Sequence, residues 1–234
     1  QQFCARLDLR LDGVPVAYLT GSREFYGLEL GVGPGVLDPR ADTETLVDWA
    51  LECLPPDQPA RVLDLGTGSG AVILAIKSQR PHVVAIATDR STAALEMARA
   101  NGWRHALSVD WRLARVDDTN GEVDWFTPIR ALPAFDLVVS NPPYLSNHDP
   151  HLPSLRHEPR SALVAGADGL SDLHAIVAGA RRHLLPGGML LLEHGHDQAA
   201  PVHDLLAAHG YARIAARRDL AGIVRCTGGI WENS

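Results

Sequence analysis

Two short segments hold residues whose types and spacing can do chemistry. The first is Asp64-Leu-Gly66-Thr67-Gly68-Ser69-Gly70. Closely spaced glycines let a backbone turn tightly and leave room for a ligand to lie against it, as in loops that cradle nucleotide-like cofactors. Gly66-x-Gly68-x-x-Ala71 also satisfies the loose dinucleotide fingerprint, so the glycines alone do not separate NAD from S-adenosylmethionine. Asp64 does. It stands just before the first glycine, where a carboxylate reaches the amino group of a methionine moiety, a group that NAD lacks. Asp89 follows ~20 residues after Gly66, at the position that accepts both hydroxyls of an adenosine ribose in either cofactor. Its competing reading is a turn residue or a cap for a helix starting at Ser91.

The second segment is Asn141-Pro142-Pro143-Tyr144. Its residue types suit methylation of a planar amide or amine nitrogen. An amide nitrogen is a poor nucleophile because its lone pair is delocalised into the carbonyl, so its N–H groups must be held by acceptors while the lone pair is aimed at the methyl carbon. Asn141 offers a side-chain carbonyl, next to the cofactor as well as the substrate, and Pro142 a backbone carbonyl without a ladder partner. Consecutive prolines fix φ at both positions before the substrate arrives, and Tyr144 gives a flat face for a planar group. Acceptors aimed at the nitrogen's protons strengthen as positive charge moves onto it, so no strong base is required.

These segments must be placed by strands and helices. From Arg61 the chain alternates β-rich runs with helical stretches, the pattern of a parallel sheet covered on both faces. Strands are expected at Arg61–Leu65, Val83–Thr88, around Leu107–Val116, at Phe135–Ser140 and at Met189–Glu193, with helices over Ser69–Gln79, Ser91–Asn101 and Asp172–Leu185. Pro186-Gly187-Gly188 reads as the stop of the last of these. A helix over Gln198–His209 and strands Tyr211–Ala216 and Ile223–Trp231 close the chain as an antiparallel hairpin. Upstream, Glu24–Val36 reads as a hairpin, Thr43–Leu54 as a helix capped by Thr43, and Leu54–Pro59 as a linker.

Composition bounds the function. The chain has 234 residues, 46% of them hydrophobic, enough for one sizeable core. It lacks an 18-residue apolar run and a basic-then-apolar start, which fits a cytoplasmic protein without membrane contact. With 28 acidic against 21 basic residues the net charge is -7, which argues against a duplex-DNA-binding surface. Cys4, Cys53 and Cys226 are scattered and read as free thiols. His194-Gly-His196 beside Glu193 lacks a third ligand at metal-site spacing, and no Gly-x-Ser-x-Gly elbow supports a hydrolase. Trp103, Trp111 and Trp125 read as core or pocket lining.

Taken together, Asp-Leu-Gly-Thr-Gly-Ser-Gly, the strand-end Asp89 and Ser140-Asn-Pro-Pro-Tyr144 resemble the HemK/PrmC protein-glutamine methyltransferases. Pro15-Val-Ala-Tyr-Leu-Thr-Gly21, Glu24-Phe-Tyr-Gly-Leu28, Pro39-Arg40 with Thr43-Glu44, His157-Glu158-Pro159, Ala167-Asp168-Gly169-Leu170 and Leu191-Leu-Glu-His-Gly195 are similar to its further landmarks. The resemblance implies a Rossmann-like class I fold, a mostly parallel seven-stranded sheet with an antiparallel C-terminal hairpin. It implies S-adenosylmethionine as cofactor, held by Asp64, Gly66, Thr67, Gly68, Ser69, Gly70, Asp89 and Asn141 and flanked by Trp125. It implies a catalytic and substrate-binding set of Asn141, Pro142, Pro143 and Tyr144. The substrate it implies is the glutamine of the Gly-Gly-Gln tip of class-1 peptide chain release factors, met by a monomeric enzyme. Residues 1–22 read as a linker or remnant of the family's N-terminal helical region, 23–58 as a hairpin and helix leading into the fold, and 59–234 as the methyltransferase domain. Two departures concern loop geometry: Ala41 stands where the family has proline, and Leu37-Asp38 is a shorter apolar start to that segment.

Rival readings remain. A ribosomal-protein glutamine methyltransferase uses the same chemistry. A DNA adenine N6 methyltransferase presents a comparable planar nitrogen on a flipped base but needs a basic groove. A cofactor-binding module without catalysis and an NAD-dependent oxidoreductase complete the set.

Overall fold

A computed structural model describes residues 2–117, 119 and 122–232. The chain opens with α1 (Gln2–Leu11), α2 (Val16–Thr20), the hairpin β1 (Ser22–Phe25) and β2 (Leu28–Gly31), and α3 (Glu44–Cys53). It continues as β3 (Arg61–Leu65), α4 (Ala71–Gln79), β4 (Val84–Asp89), α5 (Thr92–Arg104), β5 (Asp110–Leu113), β6 (Arg115–Val116) and β7 (Val123–Asp124). Then come β8 (Phe135–Ser140), α6 (Ser171–Ala180), β9 (Leu184–Glu193), α7 (Ala199–Ala208), β10 (Tyr211–Arg218) and β11 (Val224–Trp231).

The seven-stranded sheet has the order β10-β11-β9-β8-β3-β4-β5. Strands β3, β4, β5, β8 and β9 run parallel, and β11 pairs antiparallel with both β9 and β10. The mostly parallel sheet with a closing hairpin is therefore present. Side chains alternate across it with the period of two that a pleat imposes. Val62, Leu137, Val139 and Leu191 join one core with Val47, Trp49, Ile73 and Ile76 of α3 and α4. Leu63, Leu65, Val138, Leu190 and Leu192 join the other with Ile176 and Val177 of α6 and Val202 and Leu206 of α7. Because both faces of the sheet are covered at its centre, strands β3, β4, β8 and β9 are largely apolar rather than alternating, while the edge strands β5 and β10 carry exposed charged residues.

Register sets the site. Leu65 of β3 pairs with Thr88 of β4 on one side and Ser140 of β8 on the other, and Ser140 pairs with Leu192 of β9. The residues that follow, Gly66, Asp89, Asn141 and Glu193, consequently end in one row at the carboxyl edge. The chain leaves β3 toward β4 and β5 and returns on the other side as β8, so this row spans the point where connections diverge, the place at which open α/β sheets bind ligands.

Three expectations need correction. The helix expected to Leu185 ends at Ala180, and Pro186-Gly187-Gly188 lies inside β9. Leu184 already pairs with Phe135 before the register shifts to Leu137 opposite Met189, so Pro-Gly-Gly is a bulge. Gly187 there has φ +83, and a Cβ on Gly188 would lie 2.9 Å from the Leu185 carbonyl oxygen. The third strand is shorter than Leu107–Val116: Asp110–Leu113 joins the sheet, while Arg115–Val116 leaves it to pair with Val123–Asp124. Thr43 precedes α3 but makes no capping hydrogen bond, its hydroxyl being engaged elsewhere.

The end of the hairpin is fastened to the glycine loop by one buried side chain. Asn101 on α5, 1% exposed, accepts from the Gly31 amide at 2.7 Å and donates to the Gly31 carbonyl at 3.0 Å and to the Ser69 carbonyl at 2.9 Å. It joins β2 to the glycine loop. Among the described residues no helix is long and apolar enough to cross a membrane. Replacing Asn101 with alanine leaves buried backbone groups of Gly31 unpaired, so Asn101→Ala should cost about 2 to 3 kcal/mol in urea denaturation. A midpoint equal to the wild type's would show that the Asn101 hydrogen bonds add nothing to stability.

Candidate active site

The glycine loop is shaped by its own backbone. Gly66 and Thr67 donate to the Thr88 carbonyl at 2.9 and 3.0 Å, tying the turn to β4. Gly66, Gly68 and Gly70 have φ of +73, +57 and +84, a region that side-chain-bearing residues rarely enter. A Cβ on Gly68 would meet nothing within 4 Å, so this glycine faces open space. On Gly70 it would lie 3.0 Å from Leu74 Cδ1 and 3.2 Å from the Trp111 ring. The αL turn at Gly70 also delays α4 to Ala71, past the expected Ser69.

Two buried carboxylates flank the loop. Asp64 Oδ2 accepts from Thr67 Oγ1 at 2.6 Å; burial, with Asp89 adding to it, pushes the Asp64 carboxyl up to about 7. Asp89 Oδ2 accepts from the Gly68 amide at 2.8 Å and Oδ1 from the Ser91 amide at 2.8 Å. Asp89 thus ties the glycine loop to the turn into α5, in keeping with its competing reading as a turn residue, while Ser91 caps α5 through its own hydroxyl. Burial raises Asp89 as well, against the pull of those amides and Arg90. Among the described residues no cation forms an ion pair with Asp64 or Asp89. A ligand with an ammonium and a sulfonium group would fit such a pair, and Gly68 leaves its side of the hollow open.

Asn141 stands where three hollows meet. One is bordered by Gly66, Gly68, Asp89, Ser91, Trp125 and Pro143. A second, narrower one runs past Asp64, Thr67, Ser69 and Thr43. The third, about 370 Å³, opens on the other side between Tyr144, Arg40, Arg225, His151 and His196. Pro142 is buried and borders none of the three. Ser140 Oγ donates to the Leu65 carbonyl at 2.6 Å, holding the start of this loop on β3. Its other end is pinned at Tyr144, whose carbonyl accepts from Gln198 Nε2 at 3.0 Å. Gly169 packs there so closely that a Cβ would lie 2.3 Å from the Tyr144 carbonyl oxygen. Burial raises the Tyr144 hydroxyl to about 12, so it stays protonated and able to donate.

Trp125, 2% exposed, closes the first hollow, with its ring edge 3.7 Å from where a Gly66 Cβ would stand. Trp111 covers Gly70 and Gly102. Trp103, however, is 87% exposed and belongs to neither core nor pocket. Arg40, Thr43 and Arg225 border the hollows, and Glu193 lies behind Asn141, although none of the four has a place in the site as read from sequence. Arg40 is bound by Glu158 at 2.5 Å, which explains the Pro39-Arg40 and His157-Glu158-Pro159 landmarks as two halves of one ion pair. Ala41 opens the short 3₁₀ turn that carries Thr43. Glu193 had a legible signal, a lone acid ending an apolar strand at the ligand edge. The His194 ring is engaged by the Gly195 carbonyl and Thr227 Oγ1, each at 2.8 Å.

A sheet of this order, with a glycine loop after its first strand and an acid ending its second, is that of the class I methyltransferases, which take S-adenosylmethionine as methyl donor. A methyltransferase from Pyrococcus furiosus has the same fold, with a TM-score of 0.63 at 17% identity over 98% of this chain and 99% of its own. The family model for the methyltransferase small domain matches residues 41–157. The release factor glutamine methyltransferase of Coxiella burnetii is 49% identical over 92% of this chain and 75% of its own length, and that of Burkholderia pseudomallei 48% over 94% and 77%. The chain belongs to the release factor glutamine methyltransferase family.

The two acids make cofactor affinity sensitive to pH. Because Asp64 binds a cation only once ionised and burial lifts its carboxyl to about 7, S-adenosylmethionine affinity should weaken as pH falls below that value, by up to tenfold per unit. Titration calorimetry across pH 5.5–8.5 reads this, and Asp64→Asn should flatten the dependence. Asp89→Ala should weaken binding by about 2 to 3 kcal/mol through loss of a charged acceptor. Unchanged affinity would remove Asp89 from the cofactor site.

Proposed function

We propose that the chain methylates the side-chain N5 of a glutamine in a class-1 peptide chain release factor, at its Gly-Gly-Gln tip, in the cytoplasm. The observation that carries this reading is the position of Asn141, which borders the hollows on the cofactor side and the hollow on the opposite side at once. A nitrogen entering from the Tyr144 side meets the Asn141 carbonyl where it faces the cofactor loop.

The cofactor supplies an electrophilic methyl group; the remaining work falls to the chain. Asn141 Oδ1 and the Pro142 carbonyl hold the two N–H groups, which turns the nitrogen lone pair toward the methyl carbon. Tyr144 lies against the amide plane. The nitrogen would take the methyl group as the methyl–sulfur bond breaks with its electrons left on sulfur, and one N–H proton would pass to solvent. The acceptors meet their greatest charge in the transition state, where they contribute most.

The 370 Å³ hollow favours a neutral side chain. Its two arginines are already committed, Arg40 to Glu158 and Asp38, and Arg225 to Asp219 and Asp42. A glutamine on an exposed loop reaches into such a pocket, and flanking glycines keep the rim clear. The C. burnetii and B. pseudomallei relatives carry the release factor in their names, which supports the same substrate.

Labelled methyl transfer to release factor, ribosomal protein and DNA decides among the readings. The release factor should be labelled on its Gly-Gly-Gln glutamine, and a Gln→Glu release factor should not be labelled at all, because a carboxylate has no N–H for Asn141 to accept. Label on DNA or on a ribosomal protein, with the release factor untouched, would move the substrate assignment to that molecule. Asn141→Ala should leave cofactor affinity within a few-fold and cut transfer about a hundredfold, a change of roughly 2.7 kcal/mol in the barrier.

A further inference from the structure

Beneath Asn141 lies a carboxyl group that neither holds the cofactor nor faces the substrate hollow. Glu193 ends β9 at 2% exposure, and its Oε2 has no hydrogen-bond partner. The Thr43 hydroxyl and the Asn141 amide both face this carboxyl and hold its proton affinity down against burial. Thr43 Oγ1 accepts from Asn141 Nδ2 at 3.2 Å, which leaves the hydroxyl's own proton for Glu193. Asn141, Thr43 and the buried carboxyl thus form a row in which the N–H and the O–H have an acceptor at the closed end.

Such a row has a chemical consequence. A primary amide has a donor end and an acceptor end of nearly the same shape, and packing alone does not distinguish them. The proposed clamp works only with the carbonyl end toward the substrate nitrogen. An acceptor at the closed end of the row forces the NH₂ group inward and leaves Oδ1 facing the substrate.

We propose that Glu193 is the positioning residue of the amide clamp: acting directly and through Thr43, its buried carboxylate fixes the orientation of the Asn141 amide so that the carbonyl oxygen meets the substrate N–H. This inference rests on the glutamine-methylation reading. Other groups also face Glu193: Arg225 and Cys226 from β11, Asp42 from the turn before α3, and Tyr144 from the Asn-Pro-Pro-Tyr loop. Burial keeps the Cys226 thiol and the Tyr144 hydroxyl protonated through the neutral range, and Arg225 stays charged. Burial also lifts the Glu193 carboxyl to about 7, so its ionisation falls in the working range. A protonated Glu193 is itself a donor, and the row loses its direction.

Glu193→Gln, Thr43→Val and Thr43→Ser test the assignment in the full chain. At saturating S-adenosylmethionine, Glu193→Gln and Thr43→Val should each lower kcat tenfold or more, with cofactor Kd of Glu193→Gln within threefold and its melting temperature unchanged or raised. Thr43→Ser should recover most of what Thr43→Val loses. The wild-type kcat should fall as pH drops below about 7, and that limb should vanish in Glu193→Gln. Independently of any substrate, the Asn141 side-chain NH₂ resonances should titrate over the same pH range in the wild type and not in Glu193→Gln. Unaltered kcat in Glu193→Gln, or a loss matched by a lowered melting temperature, overturns the proposal, as do Asn141 resonances indifferent to pH. Failure of the wild type to label any release factor would instead overturn the substrate reading, and the resonance titration would still decide the role of Glu193.

Discussion

Everything in the site depends on the hydrogen-bonded register of β3 with its two neighbours. With Leu65 opposite both Thr88 and Ser140, and Ser140 opposite Leu192, the pairings of β3 with β4 and β8 and of β8 with β9 all stop at one level, while Asp89 still pairs with Leu113 of β5 and Glu193 with Cys226 of β11. Gly66 and Asn141, just past that level, are freed from the ladder without being freed from the sheet. Gly66 and Thr67 remain bonded to the Thr88 carbonyl, and Ser140 remains bonded to the Leu65 carbonyl. A slip of one residue in any of these pairings would turn the side chains of that strand to the opposite core and remove its contribution from the row.

The row is acidic and dry. Asp64, Asp89 and Glu193 are all buried, and burial raises all three above the ordinary carboxylate range. Such groups lower the stability of the free protein. A carboxyl whose pKa is raised on folding binds more protons folded than unfolded, so stability is fullest below the unfolded value and falls as pH rises through the raised one. For Asp64 and Glu193 that window lies between about 4 and about 7. The same cost would serve a binding site, since a cationic ligand entering beside Asp64 and Asp89 would meet charges that water has not already screened. Glu193 has a different outlet: it faces Thr43 and Asn141, and its charge acts on the direction of a hydrogen-bonded row.

The substrate side is built by the long stretch between β8 and α6, which returns over the sheet edge. Its attachments are specific. Glu158 grips Arg40 and accepts from the Asp38 amide at 3.3 Å, Gly169 packs on the Tyr144 carbonyl, and Gln198 bridges Tyr144 and Gly169. These contacts join the segment before α3, the Asn-Pro-Pro-Tyr loop and the end of β9 into one wall, which explains why short motifs far apart in the chain accompany one another.

Much of this was legible before folding. Strand and helix order, the glycine loop, Asp64, Asp89 and the Asn-Pro-Pro-Tyr segment are local properties: they follow from hydrophobic period, from glycine's freedom at positive φ and from proline's fixed φ, all of which a linear chain displays. Local rules also misread particular places. Pro186-Gly187-Gly188 carries the marks of a helix stop and is a bulge, because pairing of Leu184 with Phe135 outweighs the propensity of Leu184-Leu185 to extend α6. Trp103 reads as pocket lining and is solvent-facing, because α5 turns that side away from the sheet. What only the tertiary structure decided is which side chains meet. Thr43, Asn141 and Glu193 are separated by most of the chain, and nothing in their local sequence marks them as a set. Their contact is a product of strand register and of the turn that carries Thr43, and register is a property of pairs of strands that no single segment contains.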